Sequence, residues 1–343
     1  MPTNLFTTPS PRLSALMRRG CDFLGTKLAI LGGAMSWISE RNLVAAIANA
    51  GGFGTLACGS MTPGMLREEI KATRALTRFP FGVNLITMHP GLEALIDVCN
   101  EEKVSHIVLA GMLPSAQMVR RVKDGGAKAV CFAPAPVLAK RMLRAGADAL
   151  IIEGSEAGGH IGSSSTIVLM QEILPAVKEV PVFVAGGIAR GEAMLAALEM
   201  GASGVQLGTL FVCATESVAH PNFKHAFIRA AARDAQISPQ LDPRFPVIPV
   251  RALVNEGYKA FLDKQRDVIG RFDKGVLTKE AAQLEIEHFW VGALRRAAID
   301  GDISGGSVMA GQSVSMVTEE KPVAAIIEGL IDQANQALSS RPV

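Results

Sequence analysis

The stretch Arg144-Ala145-Gly146-Ala147-Asp148-Ala149-Leu150-Ile151-Ile152 carries the signature that sets the architecture. It reads as the last turn of a helix, then a glycine, then a short β-rich apolar run. A glycine just past a helix end accepts the left-handed conformation with which chains leave helices. Working outward, the same punctuation recurs at Asn49-Ala50-Gly51-Gly52, Asp124-Gly125-Gly126-Ala127 and Glu199-Met200-Gly201-Ala202. Apolar runs recur with it, at residues 28–31, 53–57, 81–86, 106–110, 129–132, 149–152, 182–185 and 204–207. Between them lie helical patterns at 40–50, 63–76, 92–102, 115–124, 135–145, 167–176 and 191–200, each close to the length of a crossover helix.

Eight such units predict an α/β fold, a (β/α)8 TIM barrel. A doubly wound open sheet usually has fewer strands and carries a G-x-G-x-x-G fingerprint after its first strand. The segment Leu31-Gly32-Gly33-Ala34-Met35 does not match it. The pattern changes at Pro221, where helices rich in Lys, Arg, Glu and Gln begin, and a glycine-rich turn at 301–311 precedes a last amphipathic helix at 322–338. The expected organisation is a barrel over 21–220 plus 295–340, with a small, mainly helical substrate or lid domain over 221–294.

Composition narrows the function classes. With 343 residues and 49% hydrophobic content the chain can bury a large core. Lys plus Arg at 34 against Asp plus Glu at 32 leaves a charge of +2 with no long like-charged block, so neither nucleic acid nor an acidic membrane surface is the expected partner. Only 5% of the residues are aromatic, too few for the stacking platforms of a single-strand binder. Residues 1–20 contain no signal-peptide core, and no apolar run approaches the roughly 18 to 20 residues of a membrane helix. The expected location is the cytoplasm and the expected partners are small molecules. Five widely spaced cysteines without a C-x-x-C pair suggest reduced core thiols and no metal site.

In such barrels chemistry sits at the carboxyl ends of the strands. After the first run, Gly33, Ala34 and Met35 form a side-chain-poor bend, which suits a flat ligand or an ordinary tight turn equally well. Asn84, near the end of the third run, can serve a heterocycle edge or a loop carbonyl. After the sixth run, Glu153-Gly154-Ser155-Glu156-Ala157-Gly158-Gly159-His160-Ile161-Gly162 packs two carboxylates, four glycines and a histidine into ten residues. An imidazole on a glycine-rich loop at the catalytic face can move a proton near neutral pH, which makes His160 the candidate catalytic group. The other five histidines have no comparable setting. Gly186 and Gly187 after the seventh run, and Gly208 and Thr209 after the eighth, match the two loops with which many barrels bind phosphate.

These segments, with His220-Pro221-Asn222 and Gly306-Ser307-Val308-Met309-Ala310-Gly311-Gln312, resemble the nitronate monooxygenase superfamily, which includes the flavin-dependent enoyl-ACP reductases of fatty-acid synthesis. The similarity runs over about residues 21–331. The resemblance implies an FMN with its phosphate on Gly186, Gly187, Gly208 and Thr209, and its ring against Gly33, Ala34 and Met35 near Asn84. Glu153, Gly158 and Gly159 flank the cofactor, Gln312 and the glycines before it close over it, and His160 is the active-site histidine. Two reactions follow: oxidation of an alkyl nitronate with O2, or NADH- or NADPH-dependent reduction of an enoyl thioester on an acyl carrier protein.

The chain departs from the reductase pattern at Leu31, where a glutamine is usual, at Gly111-Met112-Leu113-Pro114, and at Leu210, where an arginine is usual. The lead reading is therefore an FMN-dependent oxidoreductase of nitronate monooxygenase type, with the enoyl reductase as alternative and a non-catalytic flavin or phosphometabolite-binding module as a third. A homodimer through the lid domain is compatible with the sequence, which does not choose between the two nicotinamides.

Overall fold

The computed structural model describes residues 8–247, 249–290 and 292–340; the first seven residues of the amino-terminal segment lie outside it. Eight parallel strands form one sheet: β1 (Ile30–Gly32), β2 (Thr55–Ala57), β3 (Gly82–Ile86), β4 (His106–Ala110), β5 (Lys128–Phe132), β6 (Ala149–Glu153), β8 (Val182–Ala185) and β9 (Gly204–Leu207). Their order, β1-β9-β8-β6-β5-β4-β3-β2, returns to its start, because Leu31 bridges Phe53 just before β2 and closes the ring into a (β/α)8 barrel.

The helices form where capping allows. Thr62 accepts a hydrogen bond from the Met65 amide ahead of Pro63–Leu76, Ser115 does the same for Met118, and both helices leave their N-terminal amides partly satisfied by these hydroxyls. Gly51, Gly126, Gly146 and Gly201 all adopt positive φ where a helix gives way to the next strand, as the punctuation in the sequence requires. Strand ends differ from expectation by one or two residues, since burial continues past the last ladder bond: residues 28 and 29 are buried but precede β1.

One helix, Pro11–Leu24, forms where the sequence suggests no element; Ser10 caps it. It packs against the barrel base so closely that a Cβ on Gly20 would lie 2.0 Å from the Ser203 carbonyl oxygen.

Three cores result. Leu31, Phe53, Val108, Val130, Ile151 and Phe183 fill the barrel interior, a larger layer lies between strands and helices, and Phe245, Phe261, Val268, Ala282 and Ile286 form a separate small core in the segment after the barrel. That segment is mostly helical, with Glu256–Asp273 its longest helix, but it also holds β10 (Ala235–Ile237) and β11 (Val250–Leu253). β11 pairs antiparallel with β10 on one side and, on the other, with β7 (Gly159–His160), a two-residue strand inside what the sequence suggests is a loop. Among the described residues no helix is long and apolar enough to cross a membrane, and all five cysteines are free thiols.

At the barrel base His106 is wedged between Phe23 and Phe53, with ring centroids 5.1 and 4.9 Å away. Its Nε2 meets the Phe23 carbonyl at 3.0 Å, and burial lowers its pKa from 6.5 to about 4. The unfolded chain therefore takes up this proton first as pH falls, so stability present above pH 6.5 is lost progressively towards pH 4, by about 3 kcal/mol. Urea unfolding at pH 7.5 and 4.5 checks this. His106→Gln is expected to start less stable but to lose less on acidification; equal losses in the two proteins would refute it.

Candidate active site

A cavity of about 700 Å³ opens at the carboxyl ends of the barrel strands. Twelve of the thirteen residues singled out from the sequence line it: Gly33, Ala34 and Met35 after β1, Asn84 on β3, Glu153 at the end of β6, Gly158, Gly159 and His160 beyond it, Gly186 and Gly187 after β8, and Gly208 and Thr209 after β9. Gln312 is the exception. Its side chain is not part of the wall, where Ser313 stands instead, while its amide donates to the Glu156 carbonyl at 2.9 Å.

The loop after β6 is built for close approach. Glu156 accepts hydrogen bonds from the amide and hydroxyl of Thr166, each at 2.9 Å, and the Thr166 hydroxyl also donates to the Gly186 carbonyl at 2.9 Å. A Cβ on Gly158 would lie 2.6 Å from the backbone of Ala310 and Gly311, so the glycine-rich 306–312 segment and this loop touch backbone to backbone. The Gly311 amide completes the closure by donating to the Thr209 hydroxyl.

His160 presents its ring to the cavity, and loss of hydration there lowers its pKa and favours the neutral imidazole. Glu153, also facing the cavity, is pushed by burial up to about 7 and can hold a proton near neutral pH. These two are the only titratable side chains of the wall other than weakly acidic hydroxyls, and among the described residues no lysine or arginine lines it.

Sequence reasoning missed several wall residues. Thr55 and Gln206 are 2% and 8% exposed, beside the already singled-out Asn84, which is 5% exposed with its amide donating to the Val108 carbonyl. The signal for the first two was present, since each is a polar residue within an apolar strand run. The apolar wall, with Met88, Leu109, Met112, Leu113, Phe132 and Met309, comes from separate loops and strand ends and had no such signal.

The model of the family described as nitronate monooxygenase matches residues 18–95 and 92–333. The chain belongs to the nitronate monooxygenase family. Its relatives divide by the substrates they are named for. It is 36% identical to FabK from Thermotoga maritima, with a TM-score of 0.84 over 94% of this chain and 97% of the other. Against a nitroalkane oxidase from Streptomyces ansochromogenes the identity is 27%, with a TM-score of 0.76 over 93% and 99%.

A dehydrogenase of Rhodococcus jostii, named for (3aS,4S,5R,7aS)-5-hydroxy-7a-methyl-1-oxo-octahydro-1H-indene-4-carboxyl-CoA, is 34% identical over 67% of this chain. The match spans 65% of that protein, a little under two thirds of its length.

Proposed function

We propose that this member of the nitronate monooxygenase family is an FMN-dependent oxidoreductase that acts beside His160 on a substrate of the unsaturated acyl thioester class, whose reacting acyl end is neutral and apolar. The observation that carries the substrate reading is the cavity wall: largely apolar, with no cationic side chain among the described residues and a histidine whose neutral form burial favours. An anionic substrate would meet no fixed positive side chain there, whereas a neutral one gains from apolar burial. The Rhodococcus relative named for a coenzyme A ester supports the same class. Nitronate oxidation is the second reading, supported by the likeness to the nitroalkane oxidase.

The cavity fits FMN by three tests. Its volume lies within the range of cofactor pockets, roughly 300 to 1,000 Å³. The Thr55 hydroxyl is buried without a hydrogen-bond partner among the described residues, and with Asn84 and Gln206 it gives an otherwise apolar floor the polar groups that a heterocycle edge requires. Gly186 and Gly187 line the cavity and have no side chain, so what they offer the space is backbone. In this reading Gly186, Gly187, Gly208 and Thr209 hold the phosphate, Gly33, Ala34 and Met35 lie against the ring, and Glu153 donates a hydrogen bond to a heterocycle atom when protonated. Bound FMN supplies two-electron transfer between a reduced nicotinamide and the substrate.

The chain's own part is positional and electrostatic. As hydride adds to the double bond, negative charge builds on the acyl oxygen. The neutral imidazole of His160 donates a hydrogen bond to that oxygen and stabilises the charge as it develops. Closure of the 306–312 segment over the loop after β6 keeps bulk water from the reacting atoms.

Anaerobic stopped-flow mixing of the yellow protein with NADH, NADPH or ethyl nitronate tests the substrate. Loss of the yellow absorbance with one of the nicotinamides, and its return on adding crotonyl-coenzyme A, is expected. Bleaching by the nitronate with no response to either nicotinamide would replace this reading with the second.

A further inference from the structure

We propose that Arg251 positions His160: its buried guanidinium ties the small sheet to the loop after β6 and thereby sets where the imidazole stands in the cavity. The inference rests on His160 acting as the hydrogen-bond donor described above. Its starting point is that the barrel sheet does not hold His160. The residue belongs to β7, which pairs with β11 alone, Val250 opposite His160 and Arg251 opposite Gly159. The Ile161 amide then donates to the Pro249 carbonyl at 3.1 Å. No side-chain hydrogen bond holds the imidazole itself among the described residues. The ring therefore stands wherever the small sheet puts it.

Arg251 is the side chain that ties the sheet to the loop after β6. It is 6% exposed, and its Nε donates to the Ser155 carbonyl at 2.8 Å while Nη1 donates to the Ala235 carbonyl at 2.5 Å. One planar group thus joins the loop after β6, β10 and β11. Ser155 is itself next to Glu156, which is anchored to Thr166 on one side and to the Gln312 amide on the other. Gly158 and Gly159 then carry the chain from that anchor to His160, and Gly159 has φ 81°, so the short connection has little stiffness of its own.

The chemistry of the clamp is specific. A guanidinium presents donors in a rigid fork that reaches two carbonyls in different directions, whereas a lysine ammonium is a point charge on a flexible stem. Burying this cation against carbonyls rather than a carboxylate is unfavourable; desolvation lowers the Arg251 pKa, partly offset by the nearby Glu156. A methionine would fill the volume at lower electrostatic cost, so stability alone does not call for an arginine. Geometry does.

The test compares Arg251→Met, Arg251→Lys, His160→Ala and the double variant as FMN-loaded proteins. Turnover is measured with crotonyl-coenzyme A plus NADPH and, separately, with ethyl nitronate plus oxygen. Misplacing a reacting group by about an ångström costs up to roughly 10²-fold. Arg251→Met is therefore expected to lose about 10- to 100-fold in kcat, with KM within about threefold and flavin content unchanged, and Arg251→Lys to be intermediate. Added guanidinium at non-denaturing concentration should restore part of the loss in Arg251→Met. The double variant should be no slower than His160→Ala, because a group that acts only through His160 has nothing left to position.

Exchange of the Ile161 amide with deuterium should quicken in Arg251→Met as the sheet loosens. Unchanged kcat in Arg251→Met, or a further loss in the double variant equal to that in the single one, overturns the proposal. Full turnover in His160→Ala overturns the site reading and this inference with it.

Discussion

Replacing His160 with alanine is expected to lower turnover about 10²- to 10⁴-fold while the protein keeps its flavin, the usual range for loss of a positioned acid or base. The expectation follows from the setting. The imidazole faces a cavity in which Glu153 is the only other strongly titratable side chain among the described residues, and desolvation favours the neutral ring. No lysine or arginine of the described wall can take over. Structural damage should be small, because the ring is exposed to the cavity and makes no side-chain hydrogen bond among the described residues. Steady-state kinetics together with the visible spectrum of the purified variant decide it. A variant that retains flavin and most of its turnover removes His160 from the chemistry.

The second large effect is expected at Gly186. An alanine there must keep a φ of about 94°, and its Cβ would lie 2.9 Å from the Thr166 hydroxyl and 3.0 Å from the Gly154 backbone. The left-handed conformation alone costs a side chain roughly 1 to 2 kcal/mol. The Thr166 hydroxyl cannot yield freely, since it bridges Glu156 and the Gly186 carbonyl. The loop must therefore move, and in the proposed site it carries the phosphate. Gly186→Ala is expected to bind FMN at least about tenfold more weakly, about 1.4 kcal/mol, with circular dichroism showing an intact barrel. Titration of the flavin-stripped protein by fluorescence quenching reads it. Wild-type affinity in this variant and in Gly187→Ala would remove the loop from phosphate binding.

The cavity wall illustrates which parts of the site could be read in one dimension. Gly33, Glu153, His160, Gly186 and Gly208 were legible because a barrel strand delivers its next residue to the same end each time, so counting apolar runs orders the loops around the mouth. Thr55 and Gln206 were legible in principle, since a polar side chain inside an apolar run needs a reason. Gln312 was placed on the right segment but with the wrong contact: its backbone, through Glu156, closes the loop, and Ser313 reaches the wall. Arg251 gave no signal. It lies 91 positions beyond His160 in a segment that reads as helical, and its importance depends on a strand pairing between two residues of β7 and the start of β11.

The sequence by itself determined the eightfold rhythm, the closed α/β barrel and the end of it at which the cavity opens. Local propensity, helix caps and glycine conformations act within a few residues, and the barrel repeats them. Only the tertiary structure decided how His160 is held and what surrounds it. The small sheet, the Arg251 bridge and the cation-free apolar wall each join segments far apart in the chain, and their energies depend on burial and hydrogen-bond partners that exist once the chain has folded.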